Sequence, residues 1–402
     1  MVPKDWDSIP LGKISSVVTS GSRDWARYYS TFGSKFIRMT NLNRNGIDLL
    51  LNDLRYVSIN SESNDGKRTS LQYGDILISI TAELGKIGWV PKDFGEAYIN
   101  QHTAMVRLDP AKAESKFIAY QLSSHRLNKI INSLNDAGAK AGLNLPTVKS
   151  IPVLLPPLPE QKKIAKILST WDKAITTTEK LLANSEQQKK ALMQQLLTRK
   201  KRLPSFNEKW KKIRLGNMAE INSGGTPMST ISDYYGGNIS WVSISDLTCQ
   251  GKWIYSTEKT LTKLGLENSS ARLYPKNTVL YAMYASIGEC SIAGIELCTS
   301  QAILGIRPNS ELNFEYLYFY LSSLKKRIKQ QGQQGTQANL NAAMVKDFKI
   351  PLPTLMEQKE IVKILSTADH EIDVLEQKLD FLKQEKKALM QQLLTGKRRV
   401  KI

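Results

Sequence analysis

The chain has 402 residues, enough for two or more domains, and its 41% apolar content excludes a disordered protein. Its 56 Lys and Arg residues outnumber 37 Asp and Glu residues, which gives a formal net charge of +19. This charge favours a polyanionic partner such as nucleic acid, because neutralising phosphates releases condensed counterions. A soluble basic protein with no nucleic-acid role is the plain alternative.

Cysteine usage and hydropathy indicate the compartment. Cys249, Cys290 and Cys298 are an odd number without CxxC spacing, so neither a disulfide framework nor a zinc site is indicated. The N-terminus has no apolar signal region, and no apolar run reaches about 18 residues. We therefore expect a cytoplasmic protein without a membrane segment.

The first elements in chain order alternate or run apolar between turn residues. They predict strands at Lys35–Asn41, Asp75–Ile80, Ala104–Leu108 and Ile151–Leu155. Between the last two, apolar residues at helical intervals predict an amphipathic helix over Glu114–Leu134. Together these elements predict an α+β domain.

A long polar helix follows, from Glu160 to Thr198, and a second is predicted from Glu357 to Thr395. Both carry apolar residues in 4-3 alternation, the heptad pattern of a coiled coil, with polar interruptions at Thr178, Ser185, Lys189 and Lys386. We predict a two-stranded antiparallel coiled coil; the alternative is that each helix packs on its own domain as a core element. The predicted seam residues are Ile164, Leu168, Trp171, Ile175, Leu182, Leu192, Leu196, Ile361, Leu365, Ala368, Ile372, Leu375, Leu379, Leu382, Leu389 and Leu393.

The chain is an internal repeat. The sequence KKALMQQLLT occupies Lys189–Thr198 and again Lys386–Thr395, an offset of 197 residues (386 − 189 = 197). The helical parts are nearly identical between the halves, whereas the globular parts resemble each other only in patches. We predict an α+β fold with two similar globular domains separated by two long antiparallel helices, arranged with pseudo-two-fold symmetry. Such a chain suits a ligand with two similar, separated sites, of which duplex DNA is the commonest.

Motifs of known chemistry are missing from the sequence. It contains no GxxxxGK[ST] phosphate loop, no HExxH, no GxSxG and no motif of an amino-methyltransferase. The histidines His102, His125 and His370 have no ligand spacing. We therefore expect no catalytic residue, metal or cofactor in this chain.

Several segments resemble a known family. The stretch PPLPEQKKI at 156–164, its echo PLPTLMEQKEI at 351–361 and the two KKALMQQLLT segments are similar to the conserved regions of specificity subunits of Type I restriction-modification systems. Residues 223–247 resemble the opening of such a subunit's target recognition domain, and residues 19–42 resemble another variant of it. The resemblance covers essentially the whole chain.

The resemblance implies a non-catalytic DNA reader. Target recognition domains at 1–155 and 201–352 would each read one half of an asymmetric bipartite site, and spacer helices at 156–200 and 353–402 would fix the distance between the halves. Two modification subunits carrying S-adenosylmethionine would bind the helices and domains, and restriction subunits using ATP would join them. The expected partners thus include double-stranded DNA. No association with a membrane is expected.

Candidate DNA contacts are polar residues on predicted loops, because Arg pairs with guanine and Asn or Gln with adenine. For each one, an ordinary surface or structural role stays open. The basic runs at 199–202 and 397–399 match either the charge preference of helix C-termini or phosphate contact. The candidates are Arg23, Arg27, Arg38, Asn41, Arg44, Thr81, Lys86, Gln101, His102 and Lys140 in the first half, and Thr226, Ser243, Ser245, Asp246, Tyr281, Tyr284, Ser286 and Gln337 in the second.

Two rival functions remain at this point. A methyltransferase or nuclease would need a cofactor loop and a catalytic constellation, and binding of S-adenosylmethionine to the isolated chain would reveal it. A stand-alone DNA-binding scaffold or repressor would bind its site tightly without any other subunit.

Overall fold

The computed structural model describes residues 3–59, 64–134, 142–332 and 340–402. It divides into two compact units, Met1–Glu179 with Gln377–Ile402 (unit 1) and Lys180–Glu376 (unit 2). The division runs through both long helices, so each unit contains one globular part and half of each helix. The sequence instead predicts the helices as segments separate from the globular domains.

Unit 1 mixes short strands and helices. Its strands are β1 Asp7–Pro10, β2 Ser15–Ser20, β3 Tyr29–Ser30, β4 Ser34–Ile37, β5 Arg55–Val57, β6 Ile76–Ser79, β7 Ile87–Trp89, β8 Ala97–Ile99, β9 Thr103–Leu108 and β10 Pro152–Leu155. Its helices are α1 Asn64–Thr69, α2 Ser115–Ser123, α3 His125–Ser133, α4 Leu145–Ser150 and the start of α5 Leu158–Leu196. The strands pair as β2-β9-β6-β7, β3-β5-β4-β8 and β1-β10.

Strand β6 shows how the core is built. Every residue of β6 is buried, because both faces of the strand are covered. Ile76 and Ile78 pack into the cluster that holds Phe117 of α2, whereas Leu77, on the opposite face, packs into a second cluster. A continuous apolar run is therefore what this central strand requires.

Unit 2 repeats this architecture. Its strands are β11 Lys211–Arg214, β12 Ala219–Ser223, β13 Tyr235–Val242, β14 Trp253–Ile254, β15 Lys259–Leu261, β16 Val279–Ala282, β17 Cys290–Ala293, β18 Cys298–Thr299, β19 Ile303–Pro308 and β20 Lys349–Leu352. Its helices are α6 Ile244–Cys249, α7 Lys263–Glu267, α8 Phe314–Gly332, α9 Ala342–Lys346 and the start of α10 Leu355–Leu393. The strands pair as β12-β19-β16-β17-β14, β15-β13-β18 and β11-β20.

Two predicted elements differ from the structure. The helix predicted over 114–134 is two helices, α2 and α3, because Ser124 is extended and its Oγ accepts a hydrogen bond from the Leu127 amide at 3.4 Å. The strand predicted over 35–41 ends at Ile37, and residues 39–41 form a 3-10 turn.

The predicted seam residues lie at least partly inside the protein. Each of the sixteen predicted seam residues is buried or half-buried. In unit 1, Ile164 and Leu168 of α5 share a core cluster with Leu393 of α10, and in unit 2 Ile361 and Leu196 share another. Each helix half therefore packs on its neighbouring helix and on its globular part at once.

Polar contacts at the interruptions fix the antiparallel direction inside each unit. In unit 1, Lys386 of α10 forms a salt bridge with Asp172 of α5. In unit 2, Lys189 of α5 forms a salt bridge with Asp369 of α10. The two pairs are one interaction repeated at the offset of 197, as an internal two-fold repeat requires.

A second repeated contact closes each helix pair at its end. Arg399 donates from Nε and Nη2 to Glu160, both at 2.8 Å, and Arg202 donates in the same way to Glu357 at 3.2 and 2.8 Å. Both glutamates are buried at the start of a long helix. One arginine of each basic run is thus a structural clamp, and phosphate contact by the remaining residues of the runs stays a prediction.

Candidate nucleic-acid interface

Four loop segments meet at one edge of unit 1. The Gly21 amide donates to the Thr103 carbonyl at 3.3 Å, and the Ile80 amide donates to the His102 carbonyl at 3.0 Å. The Leu143 amide donates to the Ile80 carbonyl at 2.8 Å. We name this surface loop edge 1; it comprises residues 20–22, 81–86, 100–102 and 142–143.

Unit 2 has the same arrangement. The Gly224 amide donates to the Ile303 carbonyl at 3.0 Å, and the Met283 amide donates to the Ala302 carbonyl at 2.9 Å. The Leu340 amide donates to the Met283 carbonyl at 3.3 Å. We name this surface loop edge 2; it comprises residues 223–226, 284–289, 300–302 and 340–341. One backbone frame thus presents different side chains in the two units.

Four predicted residues lie on loop edge 1. Thr81 is half-buried and forms a β-bridge with Gly142. The Gln101 and His102 side chains contact each other, with their Nε2 atoms 3.1 Å apart. Lys86 Nζ forms a salt bridge with Glu83 at 2.5 Å. Polar donors and acceptors are therefore concentrated at this edge.

Arg44 reaches loop edge 1 from another segment. Its guanidinium donates to the Leu84 carbonyl at 2.7 Å and lies 3.5 Å from the Glu83 carboxylate. The hydrogen bond from Lys86, with a smaller contribution from Arg44, lowers the pKa of Glu83 below its ordinary value. The acid balances part of the positive charge of the two cations.

Other predicted residues of unit 1 have structural contacts. The Asn41 side chain is buried; it accepts a hydrogen bond from the Arg38 amide at 3.0 Å and donates one to the Leu50 carbonyl at 2.8 Å. Both polar atoms of this side chain therefore have partners inside the protein. Arg38 forms a salt bridge with Asp53 at 2.7 Å. Arg23 and Arg27 are exposed, and the Arg27 guanidinium lies 4.8 Å from the Tyr28 ring centroid. Their contact with DNA stays a prediction.

In unit 2, three predicted residues lie on loop edge 2. Thr226 is exposed, and its Oγ1 is 3.5 Å from the Gln301 amide. Tyr284 is exposed and Ser286 is half-buried on the turn after β16. The candidates on this edge therefore carry hydroxyl and aromatic groups, whereas those on loop edge 1 include the cation Lys86.

The remaining residues of the second set cap a helix or lie in the core. Ser243 and Asp246 form a capping box at the start of α6, while Ser245 is exposed. Tyr281 is fully buried between neighbouring strands, which leaves it no exposed atom for a base contact, so its selection as a candidate is corrected. The corresponding residue of unit 1 is Ile78, an aliphatic core residue. Lys140 and Gln337 lie outside the described residues.

Sequence reasoning missed Arg68. This residue of α1 donates from its guanidinium to the Ser20 carbonyl at 3.0 Å and to Ser22 Oγ at 2.5 Å. It therefore adds a cation to loop edge 1. Only the pairing of α1 with the loop after β2, a tertiary contact, distinguishes Arg68 from other exposed arginines.

Neither a metal site nor a membrane span is found within the described part of the chain. There, no group of three or more His, Cys, Asp or Glu side chains could hold a metal ion. None of the helices in the described ranges combines the length and the apolar character that crossing a bilayer requires.

The family model of the Type I restriction modification DNA specificity domain matches residues 3–187 and again 207–384. These two matches cover most of the chain. The chain therefore belongs to the family of Type I restriction-modification specificity subunits, with two target recognition domains.

Individual relatives agree with this assignment. The chain is 28% identical to a putative type I restriction enzyme MjaX specificity subunit of Methanocaldococcus jannaschii, across all of this chain and 95% of the relative. It is also 28% identical to the EcoR124I/EcoR124II specificity subunit of Escherichia coli, over 55% of this chain and 56% of that one. The fold is similar to a crystal structure of a Type I restriction-modification S subunit from M. genitalium, with a TM-score of 0.64 at 16% identity over 98% of this chain and 99% of the other.

Proposed function

We propose that each loop edge reads one half of a bipartite, asymmetric DNA site and that this chain catalyses no reaction itself. The repeated frame carries this proposal. Loop edges 1 and 2 share their backbone hydrogen bonds but differ in side-chain chemistry, as two readers of unlike sequences must. The net charge of +19 supplies the general attraction to the DNA backbone.

Two methyltransferase subunits are the proposed partners of the helix pairs. Toward the ends of the two helices, several exposed residues are identical at the offset of 197, although exposure frees them from any packing constraint; Lys163 and Glu360 are an exposed pair that differs. Near the helix centres, exposed residues differ, as Thr177 and Asn184 differ from Val374 and Phe381. Identical exposed patches support two copies of one partner. The identical exposed pairs are Lys162/Lys359, Lys166/Lys363, Thr170/Thr367, Lys190/Lys387, Gln194/Gln391 and Gln195/Gln392.

We assign S-adenosylmethionine to those modification subunits and ATP to restriction subunits that join them. The lack of a phosphate loop and of an amino-methyltransferase motif in this sequence supports that division. The long helices would act as a ruler for the unread spacer, and the assembly would act on cytoplasmic DNA.

Domain exchange tests the reading function. Residues 1–155 are replaced by the corresponding domain of another family member, and methylated adenines are mapped across the host genome. We expect one half-site to change while the other half-site stays the same. A change in both halves would contradict independent reading by the two units.

A binding experiment on the mapped site distinguishes a subunit of a larger complex from a stand-alone repressor. The purified chain and the chain assembled with its modification subunits are titrated with the mapped site. We expect weak binding by the chain alone and tight, specific binding by the assembly. A full-affinity footprint from the purified chain would favour the repressor.

A further inference from the structure

The turns after β6 and β16 share an unusual backbone. Ala82 has φ +64° and Ala285 has φ +56°, in the left-handed region that favours glycine. Three residues later, Gly85 and Gly288 also have positive φ. The amide of each glycine donates at 3.1 Å to the carbonyl of the last residue of the preceding strand. The two turns are thus built alike.

Only the residues with positive φ are identical in these turns. Comparison of ITAELGKI at 80–87 with MYASIGEC at 283–290 leaves the alanine and the glycine in common. Gly85 has φ +73°, and a Cβ there would also come within 2.8 Å of Asn128 Nδ2, so backbone conformation and limited space together explain that glycine. No such restriction explains why alanine, and not glycine, occupies the strained position.

The alanine methyl groups lie on the surface of the free protein. Ala82 and Ala285 are both exposed, and each follows a candidate contact residue, Thr81 or Tyr284, on its loop edge. A methyl group at positive φ raises the energy of the backbone, and glycine would avoid this. The same exposed, strained methyl group thus recurs at both loop edges, beside a candidate contact residue in each.

We propose that the Ala82 and Ala285 methyl groups contact the carbon surface of a nucleotide, a thymine methyl or a deoxyribose face, when the loop edges bind DNA. The inference rests on the proposed function and identifies two contact residues of that function. Apolar contact of a small side chain with the thymine methyl is an established means of base discrimination. Strain in the free turn is then balanced by contact in the complex.

The test compares Ala82→Gly and Ala285→Gly, each in the chain assembled with its modification subunits. The probe is a duplex that carries the site mapped by adenine methylation, and the readouts are Kd and its salt dependence. Loss of one methyl contact should raise Kd about fourfold. The salt slope should stay unchanged, because no phosphate contact is lost. Tm should stay within about 2 °C, since strain relief and unfolded-chain entropy oppose each other.

Asn277→Gly is the matched control. Asn277 is exposed, has φ +70° and precedes β16, whereas Ala285 follows that strand. Its replacement removes a side chain from the same backbone region at the other end of the strand, so Kd should not change. Ala82→Ser and Ala285→Ser keep Cβ but add a polar group, and they should bind as weakly as the glycine variants or more weakly.

The outcomes separate the two proposals. Failure of the unmodified assembly to bind the mapped site would reject the proposed function itself. If the unmodified assembly binds and both glycine variants bind equally well, only the methyl contact is rejected. Serine variants that match the unmodified assembly would also reject it, because turn rigidity alone would then suffice. Replacing thymine by uracil in the duplex identifies the source, since a glycine variant insensitive to this change has lost a thymine contact.

Discussion

At the scale of single residues, the half-buried aspartates of the two helix pairs have different surroundings. Asp172 accepts hydrogen bonds from Lys386 Nζ and from the Tyr120 hydroxyl. Asp369 pairs with Lys189 through Oδ1, while its buried Oδ2 has no hydrogen-bond partner within the described residues. The residue that precedes α2 donates its amide to Gln161, and the residue that precedes the matching position of α8 donates its amide to Gln358. When the two helices are aligned on these contacts, Phe319 occupies the position of Tyr120. Asp172 therefore has more of its hydrogen-bonding capacity satisfied than Asp369.

Tyr120→Phe should destabilise unit 1. Tyr120 is fully buried, so removal of its hydroxyl leaves one Asp172 oxygen without that donor, at a cost of about 1–2 kcal/mol in the free energy of unfolding. Chemical denaturation measures the change. Tyr320→Phe is the control, because the Tyr320 hydroxyl bonds the Lys349 carbonyl at 3.0 Å in an exposed place. Equal losses of unfolding free energy in the two variants would show that the hydrogen bond to Asp172 contributes no more than an exposed one.

Asp246 gives a pH-dependent contribution in unit 2. Burial acts to raise its pKa, but hydrogen bonds from Ser243 and from backbone amides outweigh burial and hold the pKa below its ordinary value. A depressed folded-state pKa stabilises the fold above the unfolded pKa, near 4, and this contribution is lost as pH falls through the folded value. The Tm difference between the natural chain and Asp246→Asn should therefore shrink between pH 7 and pH 3. A difference that stays constant with pH would contradict this.

At the scale of elements, the ion pairs within the seam explain why the polar interruptions are tolerated. Lys386 is 7% exposed, so an unpaired ammonium there would be costly, and Asp172 removes that cost. These polar pairs also favour one helix register, since a shift of the helices separates Lys386 from Asp172 and Lys189 from Asp369. The interruptions in the heptads thus contribute to pairing specificity.

Lys189→Leu should destabilise unit 2 by about 2–3 kcal/mol, because Asp369 is left half-buried without its cation. The double variant Lys189→Leu with Asp369→Leu should recover most of that loss, since neither charge remains. Lys383→Leu is the control; Lys383 and Glu179 are about half exposed, and their 2.9 Å pair should be worth less than about 1 kcal/mol. Denaturation of the three variants measures these differences, and an unrecovered double variant would refute the argument.

Much of the element pattern could be predicted from the sequence, because the heptad spacing and the repeat are local signals. The sequence does not predict the break at Ser124, since a serine within an amphipathic pattern either continues a helix or caps a new one. The prediction of Tyr281 as a DNA contact is wrong because the sequence places this tyrosine near a loop but does not show that both faces of its strand are covered. The loop edges themselves depend on tertiary hydrogen bonds between distant segments, which no sequence pattern reports.

At the scale of the whole molecule, the ruler makes a geometric prediction. Seven residues added to each long helix at its centre preserve the heptad register and lengthen the pair by about 10.5 Å, the rise of roughly three base pairs. We expect mapped methylation sites whose spacer is about three base pairs longer and whose half-sites are unchanged. Insertion in α5 alone should abolish specific binding, because the repeated ion pairs lose register. Altered half-sites in the double insertion would reject the ruler.

The composition of the two units also has a consequence for synthesis on the ribosome. Unit 2 is one continuous segment, whereas unit 1 lacks residues 377–402 until all of unit 2 has been synthesised, and Leu393 and Leu394 belong to its core. The usual order, in which N-terminal regions mature first during elongation, is therefore reversed here. Part of the apolar surface of the first half of the nascent chain therefore stays uncovered while unit 2 is synthesised. A truncated product would leave that surface accessible to chaperones and proteases.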